Sequence, residues 1–99
     1  MSTRMARLQA QPEDVNHVRQ ALGDMIREAS EDDPTLGEYV LYESEDTPGE
    51  FLIEQRISAV DAELEDRANA RLMELGTGLR EETGPIRISS YRLVTDSGL

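Results

Sequence analysis

Residues 37–57 read GEYVLYESEDTPGEFLIEQRI. Tyr39, Val40, Leu41 and Tyr42 form an uninterrupted β-prone run, and FLIEQRI from Phe51 has the same character. Between them Pro48 and Gly49 suit the centre of a type II turn, Pro for its fixed φ and Gly for its positive one. The segment predicts a β-hairpin. If Thr47 pairs with Glu50 across the turn, alternation puts Tyr39, Leu41 and Leu52 on one face of the sheet. Val40, Tyr42, Phe51, Ile53, Gln55 and Ile57 then share the other.

Working outward, residues 3–10 alternate Met5, Arg7 and Gln9 against Ala6, Leu8 and Ala10, the period of a half-buried strand. Pro12 opens a helix, with Glu13 and Asp14 complementing its positive N-terminus. Val15, Val18, Leu22, Met25, Ile26 and Ala29 follow at spacings of three and four, so one stripe faces a core to about Ser30, and Pro34 ends the segment. Downstream, Ser58 and Asp61 resemble a capping box. Val60, Leu64, Ala68, Leu72, Leu75 and Leu79 mark the buried stripe of a second helix, whose last turns Gly76 and Gly78 loosen. After Gly84 and Pro85 the run IRISSYRLV alternates as a fourth strand, and TDSGL is a frayed tail at about 95–99.

The order β-α-β-β-α-β over 1–99 predicts a single α+β domain of the ferredoxin-like type: a four-stranded antiparallel sheet with two helices on one face. The uncovered face needs a partner, and a sheet-to-sheet homodimer supplies one. It would also supplement the modest core of a 99-residue chain with 37% hydrophobic residues.

Charge and composition remove whole classes of function. Ten basic residues, all Arg, stand against 21 acidic ones, a net charge of −11 that disfavours nucleic acid and anionic lipid as partners. The absence of Lys beside that acid excess points to a high-GC genome or a high-salt cytoplasm. With no Cys and one His there is no disulfide framework, thiolate nucleophile or Cys-ligated metal. The first residues hold no signal-peptide core, and no apolar run approaches the ~20 residues of a membrane span. The expectation is a soluble cytoplasmic protein. G-x-S-x-G, P-loop, G-x-G-x-x-G and calcium-loop patterns are missing, and the acidic groups 31–33, 43–46 and 81–82 read as solvated surface.

Four stretches together resemble the antibiotic biosynthesis monooxygenase family of dimeric α/β barrels: ARLQAQPEDVNHVRQAL, DDPTLGEYVLYES, DTPGEFLIEQRIS and ISAVDAELEDRANARLMEL. The resemblance implies a pocket between the two helices and the sheet. It further implies a cofactor-independent oxidation of a quinol or polyphenol-like aromatic by dioxygen, with neither metal nor flavin. Three positions depart from the family's usual furnishings: Ile57 where many members carry Trp, Arg71 on or near a helix-two His, and Ala6 where the haem-degrading branch has Asn. A haem-degrading role is set aside on that ground.

Among single residues, His17 projects away from the buried stripe of helix one and reads as a surface histidine. Arg71 lies in a helical direction between Val60 and Leu64, so its guanidinium either holds a substrate oxyanion or packs at the edge and pairs with Glu74 or Asp66. Gln55 and Tyr42, polar on an otherwise apolar face, need partners, from ligand and water or from nearby backbone. Under the oxygenase implied by the resemblance, Arg71 stabilises the phenolate and Tyr42 and Gln55 orient the ring oxygens. Phe51, Ile53, Ile57 and Leu64 form the dry walls. The alternative is a non-catalytic dimeric member that binds a small apolar ligand or whose pocket has closed. A pocket reaching both Gln55 and Arg71 would favour the enzyme.

Overall fold

The structure, a computed structural model, describes residues 2–32, 37–57, 62–95 and 97. Strand β1 (Ser2–Gln9) leads through a 3-10 turn (Pro12–Asp14) into α1 (Val15–Asp32). The hairpin strands β2 (Glu38–Glu43) and β3 (Glu50–Ile57) follow, then α2 (Ala62–Gly78), the short α3 (Arg80–Thr83) and β4 (Arg87–Tyr91). All neighbouring strands are antiparallel and the sheet order is β2-β3-β1-β4, the expected ferredoxin-like arrangement.

Alternation along β1 and β3 decides what the helices cover. Ala6 and Leu8 of β1 and Phe51, Ile53 and Ile57 of β3 are buried. Buried with them are Val18, Leu22, Ile26 and Ala29 of α1 and Ala68, Leu72 and Leu75 of α2, with Leu79 closing the end. The predicted helical stripes are therefore the core-facing ones. The proposed terminator Pro34, the capping pair Ser58 and Asp61, and Val60 lie outside the described residues.

Three expectations are corrected. The first concerns the hairpin register. The type II turn is present: Gly49 has φ +91° and the Glu50 N–H donates to the Thr47 carbonyl at 3.1 Å. The ladder, however, begins further out, with Ser44 N–H donating to the Glu50 carbonyl and Glu43 opposite Phe51. Thr47 and Glu50 close a turn within the longer connection 44–49, so pairing shifts by an odd number and β2 is turned over. Tyr39 and Leu41 face the helices beside Gln55 and Ile53, whereas Val40 and Tyr42 lie on the open face with Glu54 and Leu52.

The second concerns β4, which stops at Tyr91 opposite Thr3, because β1 has almost run out there; Arg92, Leu93 and Val94 are exposed beyond the ladder. The third concerns Gly76, which does more than loosen a helix. It is buried, and a Cβ there would sit 2.5 Å from Ile86 Cγ2, so its missing side chain lets α2 approach the entry to β4. None of the described helices is long and apolar enough to cross a membrane.

Candidate functional site

Residues directly opposite on antiparallel strands share a face. Tyr39 is opposite Gln55, Gln55 opposite Arg4, and Arg4 opposite Ser90, so one polar row crosses all four strands on the helix-covered face, with Gln55 and Arg4 buried, Tyr39 half-buried and Ser90 exposed. The row beside it, Leu41, Ile53, Ala6 and Ile88, is wholly apolar. On the other side Ile57 packs with Ala68 and the half-buried Leu64 in a small separate cluster. The polar row thus lies between two apolar groups.

Gln55 is fully buried. Its Nε2 donates to Tyr39 Oη at 3.1 Å and to the Ala68 carbonyl of α2 at 3.1 Å. That carbonyl only accepts, so the amide orientation is fixed and Oε1 points elsewhere. Oε1 is sealed from solvent and has no hydrogen-bond partner among the described residues. The same holds for Nη1 of Arg4, a residue 9% exposed. Leaving a buried polar atom without a hydrogen-bond partner costs about 1–3 kcal/mol, so these two atoms mark a place where the fold is not optimised for its own stability.

Of the residues singled out from sequence, Gln55 lies in this row, Ile53, Ile57 and Leu64 flank it, and Phe51 lies one row beyond Ile53 in the main core. Tyr42 does not join them. The register turns it to the opposite face, where its hydroxyl donates to Glu54 Oε1 at 3.2 Å; Tyr39 occupies the place expected for it. Arg71 is also elsewhere. Its Nη2 pairs with Asp32 at the end of α1 at 3.0 Å and its Nη1 with Glu74 at 3.4 Å. This is the edge pairing, extended to the other helix. Arg71 lines a groove of about 160 Å³ with Met25, Glu28, Glu74 and Leu75, which Gln55 does not reach. The cation on the covered face is Arg4, which sequence reasoning passed over. The signal was its place two residues before Ala6, on the apolar side of the β1 alternation.

His17 is exposed, as expected, with Nε2 3.9 Å from Glu82. Glu43 is not part of a solvated acidic surface. Arg19 of α1 donates to both its oxygens, at 2.6 and 2.9 Å, and the Gly49 N–H donates to Oε2 at 3.2 Å. The Arg19 hydrogen bonds, with Gly49 adding to them, hold the Glu43 carboxyl below the usual glutamate range and raise the Arg19 pKa. This clamp joins α1 to the hairpin and lies outside the row. Among the described residues no group of three His, Asp or Glu side chains is placed to hold a metal.

The antibiotic biosynthesis monooxygenase family profile matches residues 1–56, a span that contains Arg4, Tyr39 and Gln55. No curated protein sequence matches the chain at a significant level. Among solved structures, a proposed antibiotic biosynthesis monooxygenase of Deinococcus radiodurans is similar at TM-score 0.76 and 22% identity, over 100% of this chain and 98% of that one. A Mycobacterium tuberculosis protein gives 0.73 and 20%, covering 98% of each chain. A conserved protein of Methanosarcina mazei gives 0.73 and 19%, over 93% and 92%. At these identities the likeness establishes the fold.

Proposed function

The chain belongs to the antibiotic biosynthesis monooxygenase family, and from that premise we propose that it oxidises a quinol or polyphenol-like aromatic with dioxygen, without a resident cofactor. The observation that carries the reading is the polar row of Tyr39, Gln55 and Arg4 between apolar rows, in which the buried Gln55 and Arg4 each keep a polar atom with no partner among the described residues. In this reaction the deprotonated aromatic is its own reductant. One oxygen atom bonds to the ring carbon that loses hydrogen, the O–O bond breaks, and the second atom leaves as water; the substrate supplies the four electrons. Gln55, held by Ala68 and Tyr39, orients the ring oxygens. Arg4 supplies positive charge in a water-poor site where the phenolate's negative charge is otherwise costly. Ile53, Ile57 and Leu64 are its dry walls.

We assign the open sheet face to a second copy of the chain. Support comes from half-buried Met5, Val40 and Leu52 beside the exposed Tyr42 and Tyr91, and from a depression of about 490 Å³ lined in part by Met5 and Tyr91. Leu52→Asp should convert a dimer to a monomer in sedimentation; an unchanged sedimentation coefficient removes this assignment.

The test of the reaction is oxygen uptake against hydroquinones and hydroxylated anthracenes, at low and high salt with autoxidation controls. Protein-dependent uptake on one substrate, lost in Gln55→Leu, is the expected result. The full burial of Phe51, Ile53 and Ile57 favours the second reading, a non-catalytic member with a closed pocket. A flat trace at both salts would establish that one instead.

A further inference from the structure

Arg7 and Arg87 stand directly opposite one another on β1 and β4, with their side chains on the open face beside Leu52. Opposed Cβ atoms lie about 4.5–5.5 Å apart, and like charges so placed repel. Arg19, Arg27, Arg56 and Arg71 each sit beside a carboxylate, in a chain with 21 acidic residues. Among the described residues neither Arg7 nor Arg87 has a carboxylate within ion-pair distance. We propose that the pair is a clasp for a tetrahedral oxyanion, the phosphate of a small phosphate monoester. The clasp is on the sheet face turned away from Gln55 and Arg4, and it stands whether or not the monooxygenase reading does.

The fold supplies a place for the ligand. A depression of about 460 Å³ is lined by both arginines together with Gln9, Glu50, Thr83 and Pro85. Gly84, at φ +71°, turns the chain out of α3 towards β4, which brings Thr83 and Pro85 to the same depression as Arg87. The volume exceeds that of a phosphate ion and leaves room for the organic group it is esterified to. Glu50 is the carboxylate in this lining, and it is within ion-pair distance of neither arginine. Two guanidiniums and one carboxylate leave the depression net positive, in a chain whose overall charge is −11.

The number of donors selects the anion. A guanidinium donates through a planar fork of two N–H groups, and the two oxygens of one carboxylate saturate one such fork. Two forks converging on one point call for more acceptor oxygens than a carboxylate carries, and the three terminal oxygens of a phosphate monoester supply them. The acid excess opposes the approach of a dianion, but exposed charges more than ~8 Å away are largely screened at physiological ionic strength, whereas the two arginines act at contact. The bound anion also cancels the repulsion within the pair, so it relieves a cost that the empty sheet carries.

The probe is inorganic phosphate, titrated into the full chain by calorimetry at fixed ionic strength, with acetate as the two-oxygen comparator. Phosphate should occupy one site per chain and bind at least about tenfold more tightly than acetate. Arg7→Met and Arg87→Met should each weaken phosphate by at least about tenfold, the loss expected when one charge-assisted contact is removed. Both side chains are exposed, so neither substitution disturbs the core. Glu50→Gln removes the opposing charge and should tighten phosphate severalfold. Equal affinity for phosphate and acetate, or phosphate binding indifferent to both arginine variants, would overturn the proposal. So would a dimer that Arg7→Met dissociates in sedimentation with no change in phosphate binding, because the pair would then meet a carboxylate of a second copy and not a free anion.

Discussion

Two neighbouring rows on the helix-covered face use the same four strands and obey opposite rules. Leu41, Ile53, Ala6 and Ile88 form an apolar row that belongs to one core with Leu8, Phe51, Leu22 and Leu72. Tyr39, Gln55, Arg4 and Ser90, one step along the strands, bury an amide and a guanidinium and leave an atom of each unpaired among the described residues. The first row is where sequence has been chosen for stability, and the second is where stability has been given up. Substitutions should therefore separate cleanly: in the apolar region they move the unfolding midpoint, and in the polar row they move ligand affinity.

The largest effect belongs to Phe51→Ala. Truncating this fully buried ring should cost about 3–5 kcal/mol, read as a fall in the urea midpoint. A loss below about 1 kcal/mol would mean that the apolar region is not the packed half of the comparison. Next is Gly76→Ala, where the new methyl meets Ile86 Cβ and Cγ2 at 2.7 and 2.5 Å. Overpacking should outweigh the better helix propensity of Ala and leave a net loss of about 1–2 kcal/mol in the same assay.

Glu43→Gln probes the clamp from α1 to the hairpin. The folded-state pKa of Glu43 is depressed, so its ionised form stabilises the fold above the unfolded glutamate value of ~4.3. That contribution disappears as pH falls through the lower folded value. The variant should be less stable at neutral pH and lose less on acidification, seen by comparing denaturant midpoints across pH 7 to about 2. The smallest effect is assigned to Tyr42→Phe, which should alter stability by no more than about 0.5 kcal/mol and leave oxygen uptake intact. A collapse of turnover in this variant would move the active centre to the other face.

How far the sequence reached depended on what each feature rests on. Helix stripes and strand order rest on periodicity, and the positions from Val18 to Leu79 that repeat at three and four are those that face the core. The face presented by β2 rests on parity across a connection. Pro48 and Gly49 announced the correct turn, but nothing local says that the ladder waits until Glu43, and one odd offset exchanges Tyr42 for Tyr39. For Arg71 the edge pairing with Glu74 that the sequence offered is the one found. Its helical direction was sound, yet which charge meets it depends on the end of another helix, at Asp32. Arg4 was legible in principle from its alternation with Ala6 and Leu8. An arginine near a strand's end reads as an edge residue until the pairing with both β3 and β4 shows that β1 is central.

That central position has a consequence for folding. The row takes one residue from each strand, at chain positions 4, 39, 55 and 90, so only the Tyr39–Gln55 pair lies within one hairpin and the two pairings of Arg4 join distant parts of the chain. High contact order defers such an assembly until the sheet is complete. A hairpin of β2 and β3 alone holds Tyr39 and Gln55 but not Arg4. The buried polar row is therefore complete only once β1 has inserted between β3 and β4.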